Sequence, residues 1–280
     1  MTGKRTNQRI AFWIFRILGL IVVGILFWIL GFIIWHGAGV INWKFLTTAP
    51  TDGMTGGGIF PAIVGTFCLI AGSMVVAFPL GVMSAIYTTE YAGNGKIVRF
   101  IRIMTNNLGS IPSIIFGLVG MLFFIQLMGW QTGVLAGSMT LVVMILPTIV
   151  RTTQESLKTV PASYREGALG LGATKWYMIR TILLPSAMLG ILTGVILAIG
   201  RIVGESAALL FTAGSGYYLP KNFLGKVLES GGTLTIQLYL FMQKAKYNEA
   251  FGVAVVLLVI VLVINALAKY LSHRFNVETR

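Results

Sequence analysis

Cysteine, histidine and acidic residues are scarce in this sequence, and their scarcity excludes several kinds of chemistry. Cys68 is the single cysteine, so the chain can form no internal disulfide and no thiol cluster for a metal. The two histidines, His36 and His273, lie near opposite ends of the chain, which argues against a histidine metal site. Asp52 is the only aspartate, and no Ser–His–Asp arrangement is evident. We therefore expect neither enzyme activity nor a cofactor on this chain.

Charged residues are also few. They make up 10% of the 280 residues, whereas soluble domains carry about a quarter. Hydrophobic residues make up 56%, and the mean hydropathy is +0.86. No soluble core could bury so much apolar surface, so the sequence predicts a polytopic membrane protein that contacts lipid. The net charge of +13 comes from basic residues beside apolar runs. That placement is typical of membrane topology, and we expect no nucleic-acid binding.

A nucleotide-binding loop is missing as well. Gly95-Lys96 and Gly225-Lys226 lack the required glycine five positions earlier, and neither is followed by Ser or Thr. Gly167, Gly170 and Gly172 stand in the wrong order for a dinucleotide-binding turn and follow no strand. If ATP drives this protein, a partner must hydrolyse it.

Long apolar runs are abundant, and they predict an all-α membrane protein with about six transmembrane helices. Pro79, Pro112 and Pro147 fall within three of them. The first run is longer than the core of a secretory signal, so we expect it to be retained. The prediction is a cytoplasmic tail over residues 1–16 and a transmembrane domain over 17–280. The predicted spans are residues 17–35, 60–88, 108–128, 134–150, 186–211 and 250–271.

The basic residues predict the orientation of these spans. Fifteen of the 21 lysines and arginines fall in segments that would share one side with both termini, and five fall in the opposite loops. Because lysine and arginine are enriched in cytoplasmic loops, both termini are predicted to be cytoplasmic. Arg201 alone is left inside a span.

Two segments between spans are helix-competent. Residues 151–185 are polar, with Pro161 near their start, and could be a plain connection or a slim helix that enters a groove of another protein. Leu234 to Gln243 is too short to span a membrane. It could close the outer mouth of the bundle or receive an external partner, and the sequence favours neither.

The first of these segments carries a recognisable pattern. It reads Glu166-Gly167-Ala168, three residues, Gly172, nine residues, then Ile182-Leu183-Leu184-Pro185. This resembles the EAA signature of ABC importer permeases, in which Glu-Ala-Ala, three residues, Gly and nine residues precede Ile, any residue and Leu-Pro. Gly167 replaces one alanine. The resemblance implies a type I permease architecture with a coupling helix that seats in an ATPase subunit. It assigns that contact to Glu166, Gly167, Ala168, Gly172 and Ala173.

Other stretches resemble, within that family, the PstA-type permeases of bacterial phosphate importers. The sister PstC-type permease carries a similar Gly-Arg and Gly-Glu pattern, so both subunit types stay open. The resemblance implies a PstC-like partner permease, two ATPase subunits, an extracytoplasmic phosphate-binding protein, and phosphate as cargo in the bacterial cytoplasmic membrane. A sulfate or molybdate permease is an alternative, as is an ATP-independent channel or secondary transporter. The stretches are residues 57–66, 90–92, 111–118 and 200–213.

Arg201 and Glu205 are the charged residues of the fifth predicted span. An arginine near the middle of a span costs about 2.5–3.5 kcal/mol on insertion scales, so it is expected to face the bundle interior or water. Their spacing of four predicts a shared helix face and an ion pair. The pair could simply fix helix packing. Since a guanidinium matches phosphate oxygens, we hypothesise instead that Arg201 attracts the anion and that Glu205 holds Arg201 when cargo is absent.

Overall fold

The fold is a bundle of mostly apolar helices joined by short turns, which confirms the all-α prediction. The structure is a computed structural model that describes residues 2–51, 56–93, 95–216 and 231–277. Lys221, Gly225-Lys226, Asp52 and Arg280 lie outside the described residues. The helices are α1 (Thr2–Gly37), α2 (Trp43–Thr47), α3 (Phe60–Ile86), α4 (Lys96–Leu108), α5 (Ser113–Gly120), α6 (Val134–Thr159), α7 (Ala162–Gly170), α8 (Lys175–Met178), α9 (Leu184–Val203), α10 (Ala207–Thr212), α11 (Leu234–Gln243) and α12 (Tyr247–Val277).

A small antiparallel hairpin and several irregular turns complete the described chain. Strands β1 (Pro50–Thr51) and β2 (Gly56–Gly57) pair with Pro50 opposite Gly57. A 3₁₀ turn, Ala38–Val40, follows α1. Wide π-helical turns extend α3 and α5 and join α8 to α9; they are Tyr87–Tyr91, Met121–Leu127 and Ile179–Leu183.

Within the described residues, five helical segments are long and apolar enough to cross a membrane, and a sixth apolar helix is shorter. The first begins at Phe12, inside a helix that is continuous from Thr2 through the predicted N-terminal tail. The sixth apolar helix is Ser113–Leu127. The five long segments are Phe12–Val40, Phe60–Tyr91, Val134–Thr159, Lys175–Val203 and Tyr247–Tyr270.

The third predicted span begins later than its prediction at residue 108. Leu108 ends α4, which is an amphipathic helix, and Pro112 stands immediately before α5 instead of interrupting a span. Proline disfavours helical backbone at the residue before it, and here the chain is non-helical between Leu108 and Ser113. The prolines at 79 and 147 do lie inside helices, α3 and α6.

The fourth and fifth predicted spans have different ends in the structure. α6 continues nine residues past Val150, to Thr159, because polar residues can extend a helix beyond the apolar stretch. The fifth crossing starts at Lys175 instead of residue 186. Thr174 caps this start, because its hydroxyl accepts a hydrogen bond from the Tyr177 N–H. Only short parts of residues 151–185 are therefore non-helical. The crossing also ends early, at Val203 instead of residue 211.

The main core surrounds α6. Its side chains Leu141, Met144 and Ile145 have no exposed area, and they pack with α3 and α9. Close approach extends to the neighbouring pair α5 and α10. A Cβ added at Gly117 of α5 would lie 2.6 Å from the Ala208 Cα of α10. A larger residue at 117 would therefore push these two helices apart.

The ends of the chain pair with each other along one side of the bundle. α1 packs on α12, where the Phe32 ring meets the Phe251 ring edge-on at 5.6 Å between centroids. Most of the remaining surface of α1 is apolar and exposed, Trp28 among it. Such a surface suits contact with lipid or with another membrane protein.

The segment Leu234 to Gln243 is the helix α11, and it packs inside this bundle. Leu234, Ile236 and Gln237 are buried, and the Leu234 N–H donates to the Thr66 hydroxyl of α3 at 3.1 Å. The helix also packs on α12. This burial favours its interpretation as a structural part of the bundle end, although Tyr239 and Met242 on its other face are exposed.

Candidate functional site

α7, which carries most of the EAA pattern, ends in a hydrogen-bonded turn that requires Gly172. The Ala173 N–H donates to the Ala168 carbonyl at 3.1 Å, and the Gly172 N–H donates to the Leu169 carbonyl at 3.0 Å. These two bonds form the Schellman arrangement at a helix C-terminus, which places one residue in left-handed backbone. Gly172 has a φ of +83°. The glycine of the pattern thus stops α7 and turns the chain toward α8.

One side of this segment is anchored and the other is free. Ala168 is buried in a cluster with Met178, Ile179 and Leu183 at the end of the bundle. Glu166 and Gly167 are exposed, and a Cβ added at Gly167 would meet nothing within 4 Å. Large exposed side chains surround them, and these are Tyr164, Leu169, Leu171, Trp176 and Tyr177. We call this exposed apolar face, residues 164–177, the loop surface.

An ion pair ties α7 to α3. The Arg165 Nη2 donates to Glu90 Oε1 at 2.9 Å, and Nε lies 3.2 and 3.4 Å from the two carboxylate oxygens. The same guanidinium donates to the carbonyls of Val160 at 2.8 Å and Leu157 at 2.7 Å, which end α6. The Glu90 side chain is 6% exposed and that of Arg165 23% exposed. Arg165 therefore joins three helices.

A second contact lies beside the first. The Lys175 ammonium sits over the Tyr91 ring, 5.1 Å from its centroid. From the sequence, Arg165 and Lys175 are only two of the basic residues that predict a cytoplasmic loop, and Glu90 has no predicted partner. The available signal was a lone acidic residue at the end of a span, in a segment otherwise basic. A partner 75 residues away has no periodicity to reveal it.

Arg201 and Glu205 do not form the predicted pair. α9 ends at Val203, so the two residues do not share a helix face. Glu205 is buried, and its Oε1 accepts from the Ala208 N–H at 3.1 Å at the start of α10. Among the ion pairs between described residues, none joins Arg201 to Glu205. The prediction failed because the spacing rule assumes a continuous helix, and Gly204 and Ser206 interrupt it.

Arg201 instead continues the line of a polar groove. It is partly exposed and lies four residues beyond Leu197, which itself lies four beyond Thr193, so all three share one face of α9. Between α6 and α9 this face borders a groove of about 540 Å³. Its polar lining is the hydroxyls of Thr152, Ser156, Thr159, Ser186 and Thr193, with Glu155.

Four of the five groove hydroxyls, all except that of Ser186, donate to carbonyls of their own helices. Ser156 Oγ donates to the Thr152 carbonyl at 2.6 Å, and Thr193 Oγ1 donates to the Leu189 carbonyl at 2.9 Å. Their oxygen lone pairs remain available to water. Glu155 pairs with Arg151 at 3.0 Å, which balances its charge. The groove can therefore hold water without a strong fixed charge, and Arg201 supplies a cation one turn beyond it.

The described residues contain no group of three or more His, Cys, Asp or Glu that could hold a metal.

Comparison with known proteins decides the family. Residues 77–277 match the family of the binding-protein-dependent transport system inner membrane component. The chain belongs to this family. It is an ABC transporter permease, a multi-pass protein of the bacterial inner membrane.

Named relatives of the permease agree with this family. It is 37% identical over 212 residues to the probable ABC transporter permease protein YqgI of Bacillus subtilis (strain 168), covering 76% of this chain and 72% of the relative. It is 34% identical over 233 residues to the phosphate transport system permease protein PstA of Haemophilus influenzae, covering 78% and 81%.

Solved structures show the same fold. The permease resembles a chain in the crystal structure of a bacterial alginate ABC transporter in complex with an alginate pentasaccharide-bound periplasmic protein. The TM-score is 0.65 at 17% identity, covering 92% of this chain and 94% of the other. At that identity the likeness concerns the fold alone, and it is consistent with the architecture that the EAA pattern implied.

Proposed function

We propose that this permease is one of the two transmembrane subunits of an ATP-driven importer of inorganic phosphate. The relatives named as PstA phosphate permeases support phosphate as cargo. The loop surface supports ATP as the energy source, since an exposed, slim and apolar helix end suits a groove on a partner protein. Glu166, Gly167, Ala168, Gly172 and Ala173 shape that surface, either at the contact or by holding α7 in place.

The proposed complex contains a PstC-like partner permease, two ATPase subunits on the cytoplasmic side, one of them at the loop surface, and a phosphate-binding protein on the opposite side. Both termini lie in the cytoplasm in this arrangement, as the charge bias favours. The exposed apolar faces of the bundle suit lipid and the partner permease.

The observation that carries the choice of cargo is the placement of Arg201. It is a permanently charged, partly exposed side chain on the face of α9 whose residues Thr193 and Leu197 line the groove. A guanidinium presents paired donors that match phosphate oxygens. Because the Glu205 carboxylate is engaged at α10, Arg201 is free of the pairing that would compete with an anion. Arg201 is thus the proposed phosphate-attracting residue, and Glu205 shapes the path by capping α10.

Uptake of labelled phosphate by a deletion strain that expresses variants tests this function. Arg201→Gln should lower uptake about 10- to 100-fold, the effect of losing a charged hydrogen-bond donor worth about 1.5–3 kcal/mol. Arg201→Lys should retain part of it, and Lys269→Gln, which removes an exposed cation from α12, should behave as wild type. Normal uptake by Arg201→Gln would contradict the proposal for Arg201.

Labelled sulfate and molybdate, offered to the same strain, test the cargo. Uptake of either in preference to phosphate would identify a different oxyanion importer. Purification through a tag on this chain tests the energy source, because an ATPase should copurify and should be lost when Glu166 and Gly172 are both altered. Transport without any associated ATPase would instead indicate a channel or a secondary transporter.

A further inference from the structure

The π-helical end of α3 holds the loop surface at two points. Glu90 binds Arg165 of α7, and the adjacent Tyr91 lies under Lys175 of α8. We call these four residues the loop clamp. Arg165 and Lys175 fall within the loop surface by position, but the Arg165 guanidinium is engaged by Glu90 and the Lys175 ammonium lies over the Tyr91 ring.

The clamp supplies a connection that α7 otherwise lacks. α7 is joined to the chain by two non-helical segments, Val160-Pro161 before it and residues 171–174 after it. Ala168 is its only buried residue. A short helix with one small anchor and two joints can tilt relative to the spans. The guanidinium of Arg165 opposes this, because it bonds to Glu90 of the α3 end and to the last carbonyls of α6 at once.

The burial of the ion pair makes the connection stiff. Glu90 is nearly enclosed, so removing Arg165 would leave a desolvated carboxylate, and removing Glu90 would leave a partly buried guanidinium. An unpaired buried charge costs free energy. The Glu90–Arg165 pair is therefore held in a more restricted geometry than a surface ion pair. Arg165 is also poorly replaced by lysine, which has no planar fork to bond three groups.

We infer that Glu90 and Arg165 are positioning residues that make α7 move as one body with α3 and α6. This inference rests on the proposed function. A displacement of α7 by the ATPase then reaches two membrane spans directly, and Lys175 on Tyr91 carries α8 with them. Without the clamp, α7 still docks but tilts at its joints, so ATP hydrolysis is no longer converted into movement of the spans.

The test uses the complex purified from its own host through a tag on this chain and reconstituted with the phosphate-binding protein. Phosphate moved per ATP hydrolysed is the main readout. Glu90→Gln and Arg165→Gln should each lower this ratio at least about tenfold while the ATPase still copurifies. Arg165→Lys should fall between them and wild type. Lys269→Gln is the control for charge.

A matched control breaks another ion pair of the chain. Glu249→Gln removes the partner of Lys246, 3.9 Å away at the start of α12, where both side chains are partly exposed. It should leave the ratio unchanged. An unchanged ratio in both clamp variants would overturn the inference. Loss of the ATPase from both complexes would overturn it too, because the pair would then serve assembly instead of transmission.

Amide hydrogen exchange separates this inference from the proposed function. In membranes that contain the permease, residues 162–170 should exchange faster in the clamp variants than in wild type, since α7 loses its support. If the wild-type complex moves no phosphate, the proposed function fails, while the exchange rates still judge the clamp. Equal exchange in wild type and both variants would overturn the clamp even where phosphate transport is normal.

Discussion

Gly172 ends α7 with a φ of +83°, a backbone conformation that costs other residues about 1–2 kcal/mol. The cost falls on the turn that directs the chain from α7 to α8, so a substitution there alters the loop surface without touching its exposed side chains. Gly167 is the contrasting case. It lies within α7 in open space and has no need of glycine's freedom.

These two glycines give a matched pair of substitutions. Gly172→Ala should destabilise the turn by about 1–2 kcal/mol and reduce the ATPase that copurifies with the permease. Gly167→Ala should strengthen α7 by up to about 1 kcal/mol through helix propensity and leave copurification intact. Quantitative pull-down from detergent extracts measures both. Equal recovery of the ATPase with Gly172→Ala and wild type would show that this turn does not shape the docking surface.

Glu205 shows how a residue that stands out by its type can be given the wrong partner. Its charge inside an apolar stretch made it conspicuous, and the spacing of four suggested Arg201. The helix break at Gly204 gives it another task, because its carboxylate accepts the Ala208 N–H. Hydropathy could not reveal that break, since the residues on both sides of it are apolar.

Substitution separates a capping role from a role of the charge. Glu205→Gln keeps an oxygen that can accept the Ala208 N–H, so phosphate uptake should stay near the wild-type level. Glu205→Ala removes the acceptor and should cost about 0.5–2 kcal/mol, the usual effect of losing a helix cap. Uptake assays and thermal unfolding of the purified complex measure the two effects. Loss of uptake in Glu205→Gln with normal unfolding would assign the function to the charge.

At the scale of elements, the groove between α6 and α9 follows from close packing of small and hydroxyl-bearing residues. A Cβ at Gly190 of α9 would collide with the Ser156 side chain of α6. The two helices meet there at short range, and the hydroxyls on either side border the open space. The 34 glycines of this chain are typical of closely packed membrane helices. Their number alone does not assign the contacts, because that requires knowing which helices are neighbours.

Water access to the groove can be measured with a single introduced cysteine. In a Cys68→Ser background, Thr193→Cys should react with a water-soluble thiol reagent, because Thr193 lines a polar groove that can hold water. Val75→Cys is the control, since Val75 is 73% exposed on α3 within an apolar span and is expected to face lipid. Equal, slow labelling at both positions would show that lipid or the partner permease seals this face.

For the molecule as a whole, hydropathy predicted the class and the approximate number of spans, and the residue pattern from Glu166 to Pro185 indicated the EAA loop between two of them. These follow from local properties, since apolar length and turn residues are readable along the chain. Span ends were less predictable. Pro112 starts a helix instead of interrupting one, and α6 runs past its apolar stretch into polar residues. Long-range contacts such as Glu90 with Arg165 depend on how the spans assemble, and no local pattern encodes them.

The π-helical turn at Tyr87–Tyr91 extends α3 and carries the Glu90 carboxylate that pairs with Arg165. Each residue of a helix advances about 1.5 Å and rotates about 100°. A single insertion or deletion between Phe60 and Glu90 would therefore swing the carboxylate about a quarter of a circle away from Arg165. The number of residues in α3 and its π-helical extension is therefore constrained by the direction in which the Glu90 carboxylate must point, whatever side chains the span presents to lipid.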